Sequence, residues 1–316
     1  TVLTYCMLKR NGFSDENIHV LYGLGNDGIY VTGQLGQDEV VQTSSTAPEP
    51  VEIYYMPPYC SNESSDEEEV SITDHAMTYP NGDRIRNDVY WPQGFFRCLA
   101  EGCEASSHYG SIRALTGADF LFVWWKGHGG VSSSNPDQVD FSFMGYMVPA
   151  SEVIDWVSQV PAGRRLLVFD TCYSGCLEKV QHPNETTTVL YLSSQCDEIS
   201  NRGFKPDVYH SVFSYWVNCT LSGVMPNEVP NQVVGGDDGS MLAVGLSLGG
   251  PLDQTFDQSS QATVATVKYE LGKTKPQTPG LRDMGSLAAK TRLDRENPLI
   301  GGDATPSPTP IGAVNR

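Results

Sequence analysis

Two apolar runs, ADFLFVWW at 118–125 and RRLLVFD at 164–170, constrain the fold more than any other feature of this chain. Neither alternates polar with apolar residues, so neither can rest with one face in water. Each reads as a strand covered on both faces, the pattern of a parallel sheet with helices above and below. The neighbouring segments agree. VPASEVIDWVSQV (148–160) places Val153, Ile154, Val157 and Val160 at helical spacing, with Ser151 as the expected N-cap. PQGFFRCLAEG (92–102) reads as a short helix stopped by Gly102, TTTVLYLSS (186–194) as a strand and SVFSYWVNCTL (211–221) as a buried helix. Upstream, TVLTYCMLKRNG sets Val2, Leu3, Cys6 and Met7 on one helical face, and NIHVLYG follows as a strand at 18–22. Strands alternating with amphipathic helices predict an α/β fold with a mostly parallel central sheet.

In such sheets chemistry gathers beyond the carboxyl ends of the strands. Here two consecutive core strands end unusually. FLFVWW runs into Lys126-Gly127-His128-Gly129-Gly130, and LLVF into Asp170-Thr171-Cys172-Tyr173-Ser174-Gly175. Taken singly, a Cys after an apolar strand is most often a small core residue, and a loop His is most often polar surface. As a pair at adjacent strand ends, they bring an imidazole beside a thiol, the arrangement that nucleophilic thiol catalysis requires. Glycines after the His let a substrate approach the backbone, and the Gly129 N–H, with that of Cys172, is a candidate oxyanion donor.

These blocks resemble the caspase and legumain clan of cysteine peptidases, in which one strand ends in His-Gly and the next in an acidic residue or Gln, a small residue, Cys and then Gly. The legumain branch is the more similar. NGFSDENIHVLY (11–22) resembles its early helix-turn-strand, PNGDRIRNDVY (80–90) its Pro-Asn-Gly…Asp-Val-Tyr segment, and FLFVWWKGHGG its His-bearing strand. The resemblance implies a caspase-like three-layer αβα sandwich, with a peptidase domain over 1–222 and an insertion at 31–79. It also places the first strand of the fold, which in legumain donates a pocket Arg, upstream of Thr1, because the chain opens inside a predicted helix. By resemblance Cys172 is the nucleophile and His128 the acid/base, acting on a peptide or protein substrate through a thioester. Asp170 stands where legumain has Glu and where metacaspases, which cleave after Arg or Lys, have Asp lining the P1 pocket. A basic P1 residue is therefore expected, with Asn-specific cleavage or peptide ligation as one alternative and an inactive caspase-like scaffold as another. A structural hydrogen-bonding role for Asp170 stays open beside these. Ser194 and Asp197 occupy the segment where the clan pairs with substrate backbone and shapes the pocket. Self-processing within the irregular loops or upstream of Thr1 is a further expectation.

Composition narrows the partners. A net charge of −18 and a pI near 4.6 argue against nucleic acid or an anionic membrane surface as partner. No run of apolar residues is long enough to span a bilayer. Eight cysteines are too scattered for a small disulfide scaffold. Cys176 is expected as a plain buried thiol rather than a resolving one, and Cys98 with Cys103 lacks the second pair a zinc site would need. The acidic loop CSNESSDEEEVSITD lacks the ligand series of an EF-hand, so neither metal nor cofactor is expected. Gly23-Leu-Gly-Asn-Asp-Gly28 matches a dinucleotide fingerprint in letters, but IYVTGQLG after it is a poor helix opening. His-Gly-Gly also occurs in lipases, yet Asp170 stands where a nucleophile elbow needs Gly. Residues 223–316, rich in Gly, Pro and Ser, read as a partly irregular C-terminal extension. Sequons at Asn62, Asn184 and Asn218 carry meaning only in a secreted chain.

Overall fold

The computed structural model describes chiefly residues 91–104, 111–132, 138–143, 146–201, 211–222 and 250–292, with short stretches before residue 91 and at 135, 232–234, 241–243 and 300–301. The dinucleotide-like glycines at 23–28, the 80–90 segment and most of the 31–79 insertion, Asn62 included, lie outside the described residues.

Helix α1 (Trp91–Glu101) is followed by strand β1 (Phe120–Lys126), then by a three-stranded ribbon of β2 (Gly129–Val131), β3 (Val139–Phe143) and β4 (Tyr146–Pro149). Helix α2 (Ala150–Gln159), strand β5 (Arg164–Asp170), strand β6 (Thr188–Leu192), helices α3 (Val212–Ser222) and α4 (Leu252–Ala265) and strand β7 (Gly280–Arg282) complete the frame. The central sheet has the order β7-β6-β5-β1. Strand β5 lies parallel to β1, from Arg164↔Phe120 to Asp170↔Lys126, and parallel to β6, while β7 closes the edge antiparallel.

Both faces of β5 are dry, as its unbroken apolar run requires. Leu167 and Phe169 join Leu121, Trp125, Leu190 and Leu192 against α1 and α2. Leu166 and Val168 point the other way, with Val189 and Tyr191, onto Phe213, Val217 and Leu221 of α3 and Leu252 and Phe256 of α4. The protein is thus a mixed α/β fold whose mostly parallel sheet carries helices on each side. Met7, Leu8 and Ile18 also reach the second cluster.

Three sequence expectations need correction. Ser151 does not cap α2: the helix begins at Ala150 behind Pro149, and no side chain caps it. Cys176 is not a free thiol but pairs with Cys196, and Cys98 pairs with Cys103 behind the C-terminus of α1. The boundary at 222/223 does not divide the core, because α4 packs into it and β7 extends the sheet. Composition hid this second half: α4 is rich in Gln, Ser and Thr, whose buried hydroxyls (Thr255, Ser259, Thr263) bond carbonyls one turn back instead of declaring an apolar face. Two sequons are also spent internally, Asn184 donating to the Ser158 carbonyl (2.9 Å) and buried Asn218 to that of Ser214 (2.7 Å).

Candidate functional site

The parallel pairing of β5 with β1 delivers the His- and Cys-bearing segments to one edge. The last pair is Asp170↔Lys126, and the Gly127 N–H still donates to the Asp170 carbonyl (3.3 Å). Just beyond, Gly129 presses against the second segment so closely that a Cβ there would lie 2.2 Å from the Cys172 carbonyl oxygen and 3.2 Å from the Thr171 side chain. Only glycine permits that approach. The ribbon register sets the direction of its amide. Ser142 donates to the His128 carbonyl (2.8 Å) and Ser132 to that of Gln138 (2.9 Å), so hydrogen-bonded pairs fall on the even-numbered residues of β2. Gly129 then sits in a non-bonded pair with Phe141, its N–H turned away from β3. His128 is exposed and Cys172, a free thiol, is half-buried.

The turn after Cys172 is built rather than loose. Tyr173 adopts the left-handed region (φ 62°), uncommon outside glycine, and its N–H is held by the Glu198 carbonyl (2.8 Å). Gly175 packs on the segment after β6, where a Cβ would meet the Gln195 and Cys196 backbone at 2.7 Å. The Cys176–Cys196 disulfide locks the same two segments together. The spacing Cys-x-x-Gly thus has a steric cause.

Asp170 is 3% exposed and lies on the α3 face. Its Oδ1 accepts from Ser200 (2.9 Å) and Ser211 (2.8 Å), and its Oδ2 from Ser214 in the first turn of α3. The helix N-terminus adds favourable partial charge beside the carboxylate. Ser200 connects the two notable groups: its hydroxyl bonds Asp170, and its carbonyl lies 4.0 Å from the Cys172 Sγ, a long S–H···O contact.

The remaining residues singled out from sequence separate. Ser194 is fully buried beneath the turn, its hydroxyl donating to the Thr171 carbonyl (3.3 Å) alongside that of Ser193 (2.9 Å). Asp197 is exposed on the loop. Sequence reasoning missed Gln277. Its buried amide donates to the Ser193 carbonyl (2.9 Å) and the Ser200 hydroxyl (3.3 Å), and accepts from the Asn201 N–H (2.7 Å) and side chain (3.1 Å). Thr278 adds a bond to Glu198 (3.0 Å) and accepts from Gln195 (3.0 Å). A Lys-Pro-Gln-Thr-Pro loop gives no such signal, because a clamp is defined by what lies opposite it. Among the described residues no three His, Cys, Asp or Glu side chains gather as a metal cage requires, and no helix is long and apolar enough to cross a membrane.

No protein-family model matches the chain, and no curated protein matches it. Among solved structures, it is similar to protein GSU0716 from Geobacter sulfurreducens, at 15% identity and a TM-score of 0.32, over 53% of this chain and 67% of that one.

Proposed function

We propose that this protein is a cysteine endopeptidase of the caspase-like kind, with Cys172 as nucleophile and His128 as acid/base. The observation that carries the reading is the seating of His128-Gly129 against Thr171-Cys172 at the carboxyl ends of two adjacent parallel strands. Proximity of this sort lets an imidazole take the thiol proton as sulfur attacks a peptide carbonyl. The S–C bond forms, the negative charge moves to oxygen, and the N–H groups of Gly129 and Cys172 are the donors proposed to hold it. Collapse breaks the C–N bond while His128 returns the proton to the departing amine. Water then hydrolyses the thioester, or a second amine takes its place in ligation.

For the residue before the scissile bond, the reading is Arg or Lys, with Asp170 as the charge it answers to, and Ser194 and Asp197 belonging to the loop beside it. A guanidinium has room for bidentate bonding only to oxygens with lone pairs left over. Asp170 already accepts three hydroxyls, and that observation favours a second reading: an uncharged Asn side chain meeting the serine oxygens around the carboxylate. A fluorogenic panel varying this residue through Arg, Lys, Asn and Asp decides between them. A thiol-directed covalent probe should label the wild type at Cys172 and not Cys172→Ala. Preference for Asp removes the role given to Asp170, while labelling without any cleavage leaves a binding scaffold.

A further inference from the structure

The end of the sheet away from Cys172 holds a buried set of polar groups that the proposed chemistry does not use. Arg165 and Thr188 are register partners at the starts of β5 and β6, about 5 Å apart along the backbone and on the face that Leu167 and Leu190 share with α1 and α2. The segment 177–187 folds against them. Arg165 Nη1 donates to the Thr187 hydroxyl (2.9 Å), that hydroxyl to the Asn184 carbonyl (3.2 Å), and the Asn184 N–H to His182 Nδ1 (3.1 Å). At the end of α2 the Asn184 side chain bonds the Ser158 carbonyl (2.9 Å), and Arg165 Nη2 bonds that of Val160. On the β7 side Arg282 donates to the Leu177 and Val180 carbonyls (2.9 and 2.8 Å) and pairs with Glu185.

Three atoms of this network have no hydrogen-bond partner among the described residues: Arg165 Nε, His182 Nε2 and Thr188 Oγ1. Their residues are only 3%, 4% and 3% exposed, so bulk water does not serve them. All three can donate. Because His182 Nδ1 accepts from Asn184, the neutral ring carries its proton on Nε2, and a guanidinium has no acceptor at all. What the cluster needs is therefore an acceptor. It also needs negative charge. Burial lowers the His182 pKa, Arg165 and then Arg282 lower it further, and Glu185 alone opposes them while already held by Arg282. Burial lowers the Arg165 pKa as well, with no carboxylate opposing it, the costly state of an unpaired buried charge. A water could accept some of these bonds but would bring two hydrogens of its own among donors. An anion answers the donors and the charge together. We infer that Arg165, His182 and Thr188 form a binding site for a small inorganic anion of the halide class, buried between β5, β6 and the segment 177–187. The enclosure of all three side chains selects a monatomic ion over a bulky oxyanion. The inference is independent of the peptidase reading.

The test is thermal melting of the full chain titrated with sodium chloride against sodium gluconate, at constant ionic strength so that screening of the acidic surface is the same in both. Chloride and bromide should raise the melting temperature along a saturating curve, by roughly 5 °C at a hundred times the half-saturating concentration, and gluconate should not. Thr188→Val keeps the side-chain shape and removes one donor, so it should raise the half-saturating concentration about fivefold. Arg165→Met, if it folds, should flatten the chloride curve. Crystals of the wild type soaked in bromide give a reading that needs no variant: an anomalous peak is expected among Arg165 Nε, His182 Nε2 and Thr188 Oγ1. Identical melts in chloride and gluconate, a rise that never saturates, a half-saturating concentration unmoved by Thr188→Val, or bromide peaks only elsewhere would each overturn the inference. None of these readings involves Cys172, so the peptidase reading stands or falls on its own assays.

Discussion

At the scale of single residues, the proposed site depends on two glycines through the side chain they lack. Gly129→Ala would drive a methyl group into the Cys172 carbonyl, and the backbone on both sides is tied into sheets that cannot yield cheaply. On the peptidase reading we expect kcat/KM per titrated active site to fall at least about 100-fold, since a misplacement near 1 Å at a reacting centre has that effect, and the melting temperature to drop as well, because neither backbone moves away cheaply. Gly175→Ala meets the Gln195–Cys196 backbone instead and should act mainly on stability. His182 is a different matter. It is 4% exposed, and burial, reinforced by Arg165 and Arg282 and opposed by Glu185, lowers its pKa from 6.5 to about 4. The unfolded chain therefore takes up this proton at a higher pH than the folded one, so stability is present above about pH 6.5 and is lost as pH falls toward 4. Denaturant melts between pH 7 and 4 should show a loss on the order of 2 kcal/mol, reduced in His182→Gln. A melt insensitive to that substitution would remove His182 as the cause.

At the scale of elements, the thiol-bearing turn and the loop after β6 behave as one unit, joined by the Cys176–Cys196 disulfide, the Tyr173–Glu198 bond and the Gln277 clamp. Gln277→Ala leaves the Ser193 carbonyl and the Asn201 N–H without this partner in a buried setting, at a cost of about 2 kcal/mol. It also frees Ser200, which touches both Cys172 and Asp170. On the peptidase reading its effect should appear as a lower kcat with KM moving less, and the ratio of Arg to Asn cleavage should shift. A uniform loss explained by reduced melting temperature alone would show that Gln277 is merely structural. The disulfide spans 20 residues, and opening it with Cys176→Ser/Cys196→Ser should cost about 3 kcal/mol in the chain-entropy picture. Reductant should therefore lower the melting temperature of the wild type and not of that double variant, once allowance is made for Cys98–Cys103.

For the whole molecule, strength resides in the strand that also presents the site. Leu166, Leu167, Val168 and Phe169 are all fully buried. Leu167→Ala should cost about 2–5 kcal/mol by urea unfolding. Such a loss would lower the amount of folded protein and, on the peptidase reading, leave kcat per active site unchanged, which titration with the covalent probe separates. The C-terminal part of the chain, through α4 and β7, completes the second face of this core and carries the clamp to the site. Truncation at residue 222 should for that reason yield an insoluble product rather than a smaller active domain.

The sequence by itself determined what is local or periodic. The apolar runs at 120–125 and 166–169 called for strands covered on both faces, which β5 is and β1 is only in part, and the residues following them announced a thiol and an imidazole at strand ends. Helix α1 and its stop at Gly102 were equally legible, because a left-handed C-terminal residue is a backbone demand that glycine answers at least cost (φ 85°). What needed the tertiary structure was every relation between distant segments. Cys176 finds Cys196 across the turn, Gln277 reaches Ser193 and Asn201, and Ser200, Ser211 and Ser214 converge on Asp170. None of these partners shares a sequence period with the other. Their meeting is set by how helices and loops pack on the sheet, and in a polar, Ser- and Thr-rich half of the chain that packing leaves no apolar pattern to read.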